Sequence, residues 1–83
     1  MKVRYFAWVR ERVGKAEEDL DPPAGITTIG EFVEWLRQRG EGYAYAFENP
    51  KVIRAAIDRN HVRADARIDS AAEIAFFPPM TGG

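Results

Sequence analysis

Thr28-Ile29-Gly30-Glu31-Phe32-Val33-Glu34-Trp35-Leu36-Arg37-Gln38-Arg39-Gly40 is the stretch on which the fold turns. Thr28 and Glu31 have capping-box spacing, in which each side chain satisfies an orphan backbone N–H at the other's position. Ile29, Phe32, Val33 and Leu36 recur at i, i+3, i+4 and i+7, one apolar stripe on a 3.6-residue repeat. Glu31, Glu34, Arg37 and Gln38 take the solvent side. Arg37 and Arg39 suit the negative end of the helix dipole, and Gly40 suits the position just past the C-terminus. The spacing predicts a helix over residues 28–39. One amphipathic helix covers one face of a sheet, so the other face is left to solvent or to a partner.

Outward from the helix, the chain reads as strands. Val3, Tyr5, Ala7 and Val9 alternate with Lys2, Arg4, Phe6, Trp8 and Arg10, a period of two that predicts an opening strand. Residues 10–14 read as a short turn stopped by Gly14. A weaker strand is predicted near Ala16–Leu20, closed by Pro22-Pro23, where a ladder cannot continue. After the helix, Tyr43 and Phe47 lie one helical turn apart, which fits a short second helix ending before Pro50. Val52–Ile57 is rich in β-branched residues and predicts a strand. Asp58-Arg59-Asn60 reads as a turn, His61-Val62-Arg63 as a short returning strand and Glu73–Phe77 as the last strand. This order matches an α+β domain of β-grasp, or ubiquitin-like, type: a mixed sheet with one main helix on one face. Roll topologies share the same order.

Length and composition set the bounds. Eighty-three residues make one small domain, predicted over residues 1–77 and followed by an extended tail at 78–83. A chain of this size buries only about 60% of its unfolded surface. The hydrophobic share of 46% and aromatic share of 12% are those of a folding chain. The net charge of −1 argues against nucleic acid as the main partner, since such binding needs clustered positive charge. With zero cysteines there is no disulfide framework, no thiolate metal site and no cysteine nucleophile, which suits a reducing cytoplasm. No apolar run approaches the roughly 20 residues of a membrane helix, and Met1-Lys2-Val3-Arg4 enters a strand pattern without a signal peptide.

The last residues carry the chemistry. Pro78 and Pro79 lack backbone donors and fix φ, so the last strand must stop and the chain leave extended. From Phe77 to Gly83 such a tail spans roughly 20 Å at about 3.3 Å per residue. Gly82 and Gly83, without Cβ atoms, fit a channel too narrow for other residues, and a terminal carboxylate on that tether is a candidate reactive group. A frayed terminus is the ordinary reading of Gly-Gly by itself. The preceding strand and double proline favour function.

Here the sequence resembles the small subunit of molybdopterin synthase, a ubiquitin-like sulfur carrier, over essentially its whole length. The opening Val3-Arg4-Tyr5-Phe6-Ala7-Trp8-Val9-Arg10-Glu11 with Gly14, and the closing Glu73-Ile74-Ala75-Phe76-Phe77-Pro78-Pro79-Met80-Thr81-Gly82-Gly83, carry the resemblance. Ala56-Ile57-Asp58 stands where the family has Ala-Val-Asn, and Asp69-Ser70-Ala71-Ala72-Glu73 replaces the usual Asp-Gly-Asp-Glu turn. The resemblance implies a relay with no bound cofactor or metal. An E1-like adenylyltransferase activates the Gly83 carboxylate with ATP as an acyl-adenylate, and a sulfur donor converts it to a thiocarboxylate. The tail, with Gly82, then enters the large synthase subunit and gives its sulfur to cyclic pyranopterin monophosphate, within a heterotetramer. The chain would be a sulfur-donating subunit rather than a catalyst by itself.

A docking surface follows from alternation. If Val3, Tyr5, Ala7 and Val9 face the helix, then Phe6, Trp8 and Phe77 form an aromatic patch on the open face beside Pro78, Pro79, Met80 and Thr81. Such patches mark interfaces. Trp8 stands evenly between this role and cover by residues 41–51. His61 matches a family position near the interface but, as a lone histidine, reads first as a surface or structural residue. Glu17-Glu18-Asp19 is no metal site, because three consecutive strand residues cannot converge. Trp35 reads as a cap on the helix–sheet interface. Two rivals remain: a carrier for another acceptor, as in thiamine or tRNA thiolation, and a binding module that never activates its tail.

Overall fold

The computed structural model describes residues 1–79, so the expectations for Met80, Thr81, Gly82 and Gly83 lie outside the described residues. Along the chain run β1 (Lys2–Tyr5), α1 (Ala7–Val13), β2 (Glu17–Asp19), α2 (Ile29–Arg37) and α3 (Glu41–Ala46). A single 3-10 turn (Pro50–Val52), β3 (Arg54–Ile57), β4 (Asn60–Val62) and β5 (Glu73–Phe77) follow. The strands form one mixed sheet in the order β2-β1-β5-β3-β4, with β1 and β5 parallel at its centre and the outer pairs antiparallel. This is the β-grasp arrangement.

The predicted main helix is present, and its start is governed by the predicted box. The Thr28 hydroxyl accepts from the Glu31 N–H at 3.2 Å, while the Glu31 carboxylate accepts from the Thr28 N–H at 3.1 Å. The Thr27 N–H and hydroxyl also donate to Glu31, and together these bonds hold its carboxyl below the usual range. At the far end the helix closes early. Gln38 and Arg39 donate to the carbonyls of Trp35 and Leu36, tightening the last turn to 3-10 geometry, and Gly40 serves as the N-cap of α3 instead.

The opening alternation misleads after Tyr5. β1 ends there, Ala7 turns the chain with φ 52, and residues 7–13 are helical. The competing signal is i, i+4 spacing: Val9 with Val13 and Trp8 with Arg12 each share one face of α1. Gly14, at φ 93, closes the helix in the left-handed conformation that glycine adopts without cost. Val9 is therefore buried from a helix, and Ala7 is exposed rather than inward. β3 begins two residues later than the β-branched run suggests. Pro50 opens a 3-10 turn that takes up the Val52 and Ile53 donors, which bond to Asn49 and Pro50.

The core lies between the sheet and the helices. Val3, Tyr5, Ala55, Ile74 and Phe76 come from the strands, Ile29, Phe32, Val33 and Leu36 from α2, and Tyr43, Ala46 and Phe47 from the α3 region. Phe76 is central: its ring lies 5.2 Å edge-on from Phe47, 6.0 Å from Phe32 and 6.4 Å from Tyr5. Trp35 stacks on Phe32 at 5.7 Å and is half-buried, a cap on the helix–sheet interface as read from the sequence. Glycine matters most at Gly42, where a Cβ would stand 2.7 Å from the Arg12 carbonyl oxygen. Its absence lets α3 lie directly on the end of α1.

One carboxylate faces this core. Glu18, whose side chain is 13% exposed, accepts the hydroxyls of Tyr5 at 2.8 Å and Tyr43 at 2.6 Å, with Lys15 at 3.4 Å and Arg39 at 3.7 Å. Burial by itself would raise its pKa, but the two phenols and Lys15 outweigh burial and hold the carboxyl below its ordinary value. Burial, then Glu18, push the Tyr5 phenol far upward. Glu18 is thus a structural brace between β2 and the core, while its neighbours Glu17 and Asp19 are exposed.

Two outcomes are expected. Gly42→Val should cost about 2–3 kcal/mol through overpacking, a fall in Tm of roughly 4–8 °C per kcal/mol, measurable by thermal circular dichroism. Because Glu18 binds its proton less readily folded than unfolded, its contribution is fully present above the unfolded carboxylate value near 4.5 and is lost as pH falls through the lower folded value. Glu18→Gln should therefore lower Tm at pH 7 and flatten the further loss between about pH 5 and 3. Parallel Tm–pH curves for the two proteins would count against this role.

Candidate functional site

The face of the sheet away from the helices is built by strand alternation and register. On β5, Ile74 and Phe76 point into the core, so Glu73, Ala75 and Phe77 point to the open side. Register sets Glu17, Arg4, Ala75, Ala56 and His61 in one row across all five strands. The next row, at the C-terminal end of β5, pairs Phe77 with Arg54. Small side chains thus form the middle of the face, with aromatic rings at its tail end.

Three of the residues predicted for docking converge there. The His61 and Phe77 rings meet edge-on at 5.2 Å. Phe6 is anchored by its N–H, which donates to the Phe76 carbonyl at 3.0 Å. Its ring is exposed, with the Arg4 guanidinium 5.2 Å above it. Phe77, Pro78 and Pro79 are half-buried and follow one another out of the centre of the sheet.

Trp8 does not join them, and the expectation of a Phe6–Trp8–Phe77 patch is corrected. Because α1 starts at Ala7, Trp8 leaves the strand pattern and packs half-buried against the core. Arg12 lies over it, 4.3 Å from its ring and 4.0 Å from that of Tyr45, with an ion pair to Glu48 at 3.6 Å. Trp8 is therefore covered by Arg12 of its own helix, which Tyr45 and Glu48 of the 41–51 segment hold in turn.

The β2 side of the face is charged and internally neutralised. Lys2 pairs with Glu17 at 3.3 Å, and Arg4 reaches both Glu17 and Glu73 at 3.9 Å. Such exposed pairs add little stability, and with the exposed Asp19 opposite Lys2 this side carries no excess of positive charge. The β4 side differs: Arg54 and His61 are exposed, and among the described residues neither makes an ion pair.

Asp58 is a positioning residue that sequence reasoning passed over. It and Arg59 take φ values of 47 and 72, the geometry of a two-residue hairpin turn joining β3 to β4. Its Oδ1 accepts the backbone N–H groups of Ala72 at 3.1 Å and Glu73 at 2.9 Å, while its own N–H donates to the Glu73 carbonyl. The two places where the sequence departs from the Ala-Val-Asn and Asp-Gly-Asp-Glu pattern are thus one contact, which fixes where β5 begins. The spacing of Asp58 from Glu73 carried no signal of it.

Among the described residues no three His, Asp or Glu side chains converge on a metal-sized site, and no helix is long and apolar enough to cross a membrane. What the face presents is a strip of rings on the strand that leads into Pro78 and Pro79.

Fold and face together define a ubiquitin-like β-grasp protein with one uncovered sheet face at the root of its C-terminal tail. The chain belongs to the ThiS family, whose sequence profile matches residues 3–83. Over 83 residues it is 34% identical to the "Molybdopterin synthase sulfur carrier subunit" of Escherichia coli, covering 100% of this chain and 99% of that one. The protein of the same description from Haemophilus influenzae matches with the same identity and coverage. A crystal structure of SAMP1 from Haloferax volcanii superposes with a TM-score of 0.71 over 100% of this chain and 98% of that one, at 23% identity, a likeness of fold.

Proposed function

We propose that this chain is the sulfur-carrier subunit of a molybdopterin synthase, acting in the cytoplasm. The observation that carries the reading is the full-length 34% identity to two chains of that description. The family match fits the wider class of ubiquitin-like sulfur carriers; the two relatives select the acceptor within it. The open face supports docking, and a chain without cysteine cannot hold sulfur on a side-chain thiol.

The chemistry belongs to the Gly83 carboxylate. A carboxylate is a poor acyl donor because its leaving group would be oxide. Attack of its oxygen on the α-phosphorus of ATP, held by an E1-like enzyme, expels pyrophosphate and gives the acyl-adenylate. Hydrosulfide then displaces AMP and loses its proton to leave the thiocarboxylate. Where the donor is a persulfide, its outer sulfur displaces AMP to give an acyl disulfide, which a second thiol reduces to the thiocarboxylate with formation of a disulfide on the donor side. In the large subunit that sulfur attacks a carbon of the pterin precursor and displaces an oxygen substituent, forming a thioester to the carrier. Water hydrolyses the thioester, leaving the sulfur on the precursor and returning the carboxylate. Two loaded carriers supply the two sulfurs of a dithiolene. Gly82 and Gly83 would pass the narrow part of each partner's channel, with Pro78, Pro79, Met80 and Thr81 spanning the distance from the sheet. Phe6, His61 and Phe77 would seat the domain on the large subunit, two carriers on a dimer of large subunits.

The absence of cysteine makes the central step directly measurable. After incubation with ATP, an E1-like activating enzyme and a sulfur source, a thiol-selective alkylating reagent should label the chain once, at Gly83, as read by intact mass and peptide mapping. Oxygen-for-sulfur exchange has nearly the mass of oxidation at Met1 or Met80, which the label distinguishes. Absence of label, while the same enzymes load a known carrier, would count against the reading. Phe77→Ala should weaken large-subunit binding roughly tenfold, as for an aromatic anchor, with the fold intact by circular dichroism; unchanged affinity would remove Phe77 from the interface.

A further inference from the structure

The β4 end of the open face carries positive side chains that make no ion pair among the described residues. Residues 51–63 hold Lys51, Arg54, Arg59 and Arg63 against the single acid Asp58, in a chain whose net charge is −1. Asp58 is turned away, its carboxylate occupied by the backbone of Ala72 and Glu73. Register sets Ala55 opposite Val62, and one step further brings Arg63 across from Arg54. Like charges directly opposite across strands cost stability. Lys51, Arg54 and Arg63 are exposed, and among the described residues none makes an ion pair.

These three cations rim a groove of about 460 Å³ whose apolar lining includes Ile29, Ile53 and Val62. His61 also lines the groove, and its ring meets Phe77 edge-on at 5.2 Å, which joins the groove to the aromatic strip. Its chemistry is therefore cationic at the rim and aliphatic within.

We propose that this groove receives an acidic segment of the partner that takes the tail, its carboxylates on Lys51, Arg54 and Arg63 and an aliphatic side chain between them. The inference rests on the sulfur-carrier reading and adds a second contact to it, one that sets partner choice and encounter rate. A nucleic acid fits less well: three cations match few phosphates, and the remainder of the chain is net acidic. Free phosphate fits less well too, since it offers nothing to the aliphatic lining of Ile29, Ile53 and Val62.

The test measures affinity for the large synthase subunit encoded in the same genome, at about 50 mM and about 500 mM NaCl, where screening lengths differ severalfold. Arg54→Gln with Arg63→Gln should weaken binding roughly tenfold at low salt and far less at high salt, whereas Phe77→Ala should weaken it equally at both. The double variant should keep or raise Tm, because a like-charge pair is removed. Unchanged affinity at low salt, or an equal loss at both salts, would overturn the acidic contact. A wild-type chain that fails to bind the large subunit at all overturns the sulfur-carrier reading, and this inference with it. A single-stranded oligonucleotide or inorganic phosphate that binds wild type and not the double variant, while large-subunit affinity is unchanged, would reassign the groove to that anion.

Discussion

The parallel pairing of β1 with β5 is the constraint on which the rest of the molecule depends. Those two strands come from opposite ends of the sequence, and their register sets Tyr5 beside Phe76 and Arg4 beside Ala75. The first pair faces inward and organises the aromatic core; the second faces outward onto the open face of the sheet. A one-residue slip would exchange the two faces, placing Phe77 in the core and Phe76 outside. Asp58 guards against it by holding the Ala72 and Glu73 backbone where β5 starts. The inward Glu18, bonded to Tyr5 and Tyr43, ties the edge strand β2 to the same core.

The helix α2 and the strand β5 were legible in the sequence because each follows a single period with its stop signals in place. The capping box gave the start of α2 to the residue, and Pro78 set the end of β5. The opening segment was legible only in part. Val3 to Val9 satisfies a period of two, yet the same residues satisfy i, i+4 spacing from Val9 onward. Pairing with β5 and β2 stops at Tyr5, and the helical spacing prevails beyond it. Strand propensity at Val52 was likewise overridden by the proline two residues earlier.

The same division runs through the site. Phe6, His61 and Phe77 were found from alternation and resemblance, and strand register brings them to one face. Trp8 failed for the reason that β1 is short, and Arg12, itself against Tyr45, now lies over it. Asp58 and the Arg54–Arg63 opposition carried no local signal, since each depends on which distant residue the register places alongside. Contacts between strands far apart in sequence are what single-sequence periodicity cannot supply.

The central place of β5 has a mechanical consequence. The tail is the continuation of a strand flanked on both sides, parallel to β1 and antiparallel to β3. Tension applied beyond Pro79 would enter along β5 and load both ladders in shear, with many hydrogen bonds sharing the force at once. An edge strand would instead peel away one bond at a time. A pull on the end of this chain would therefore be shared across the whole sheet, and the domain behind it would stay folded.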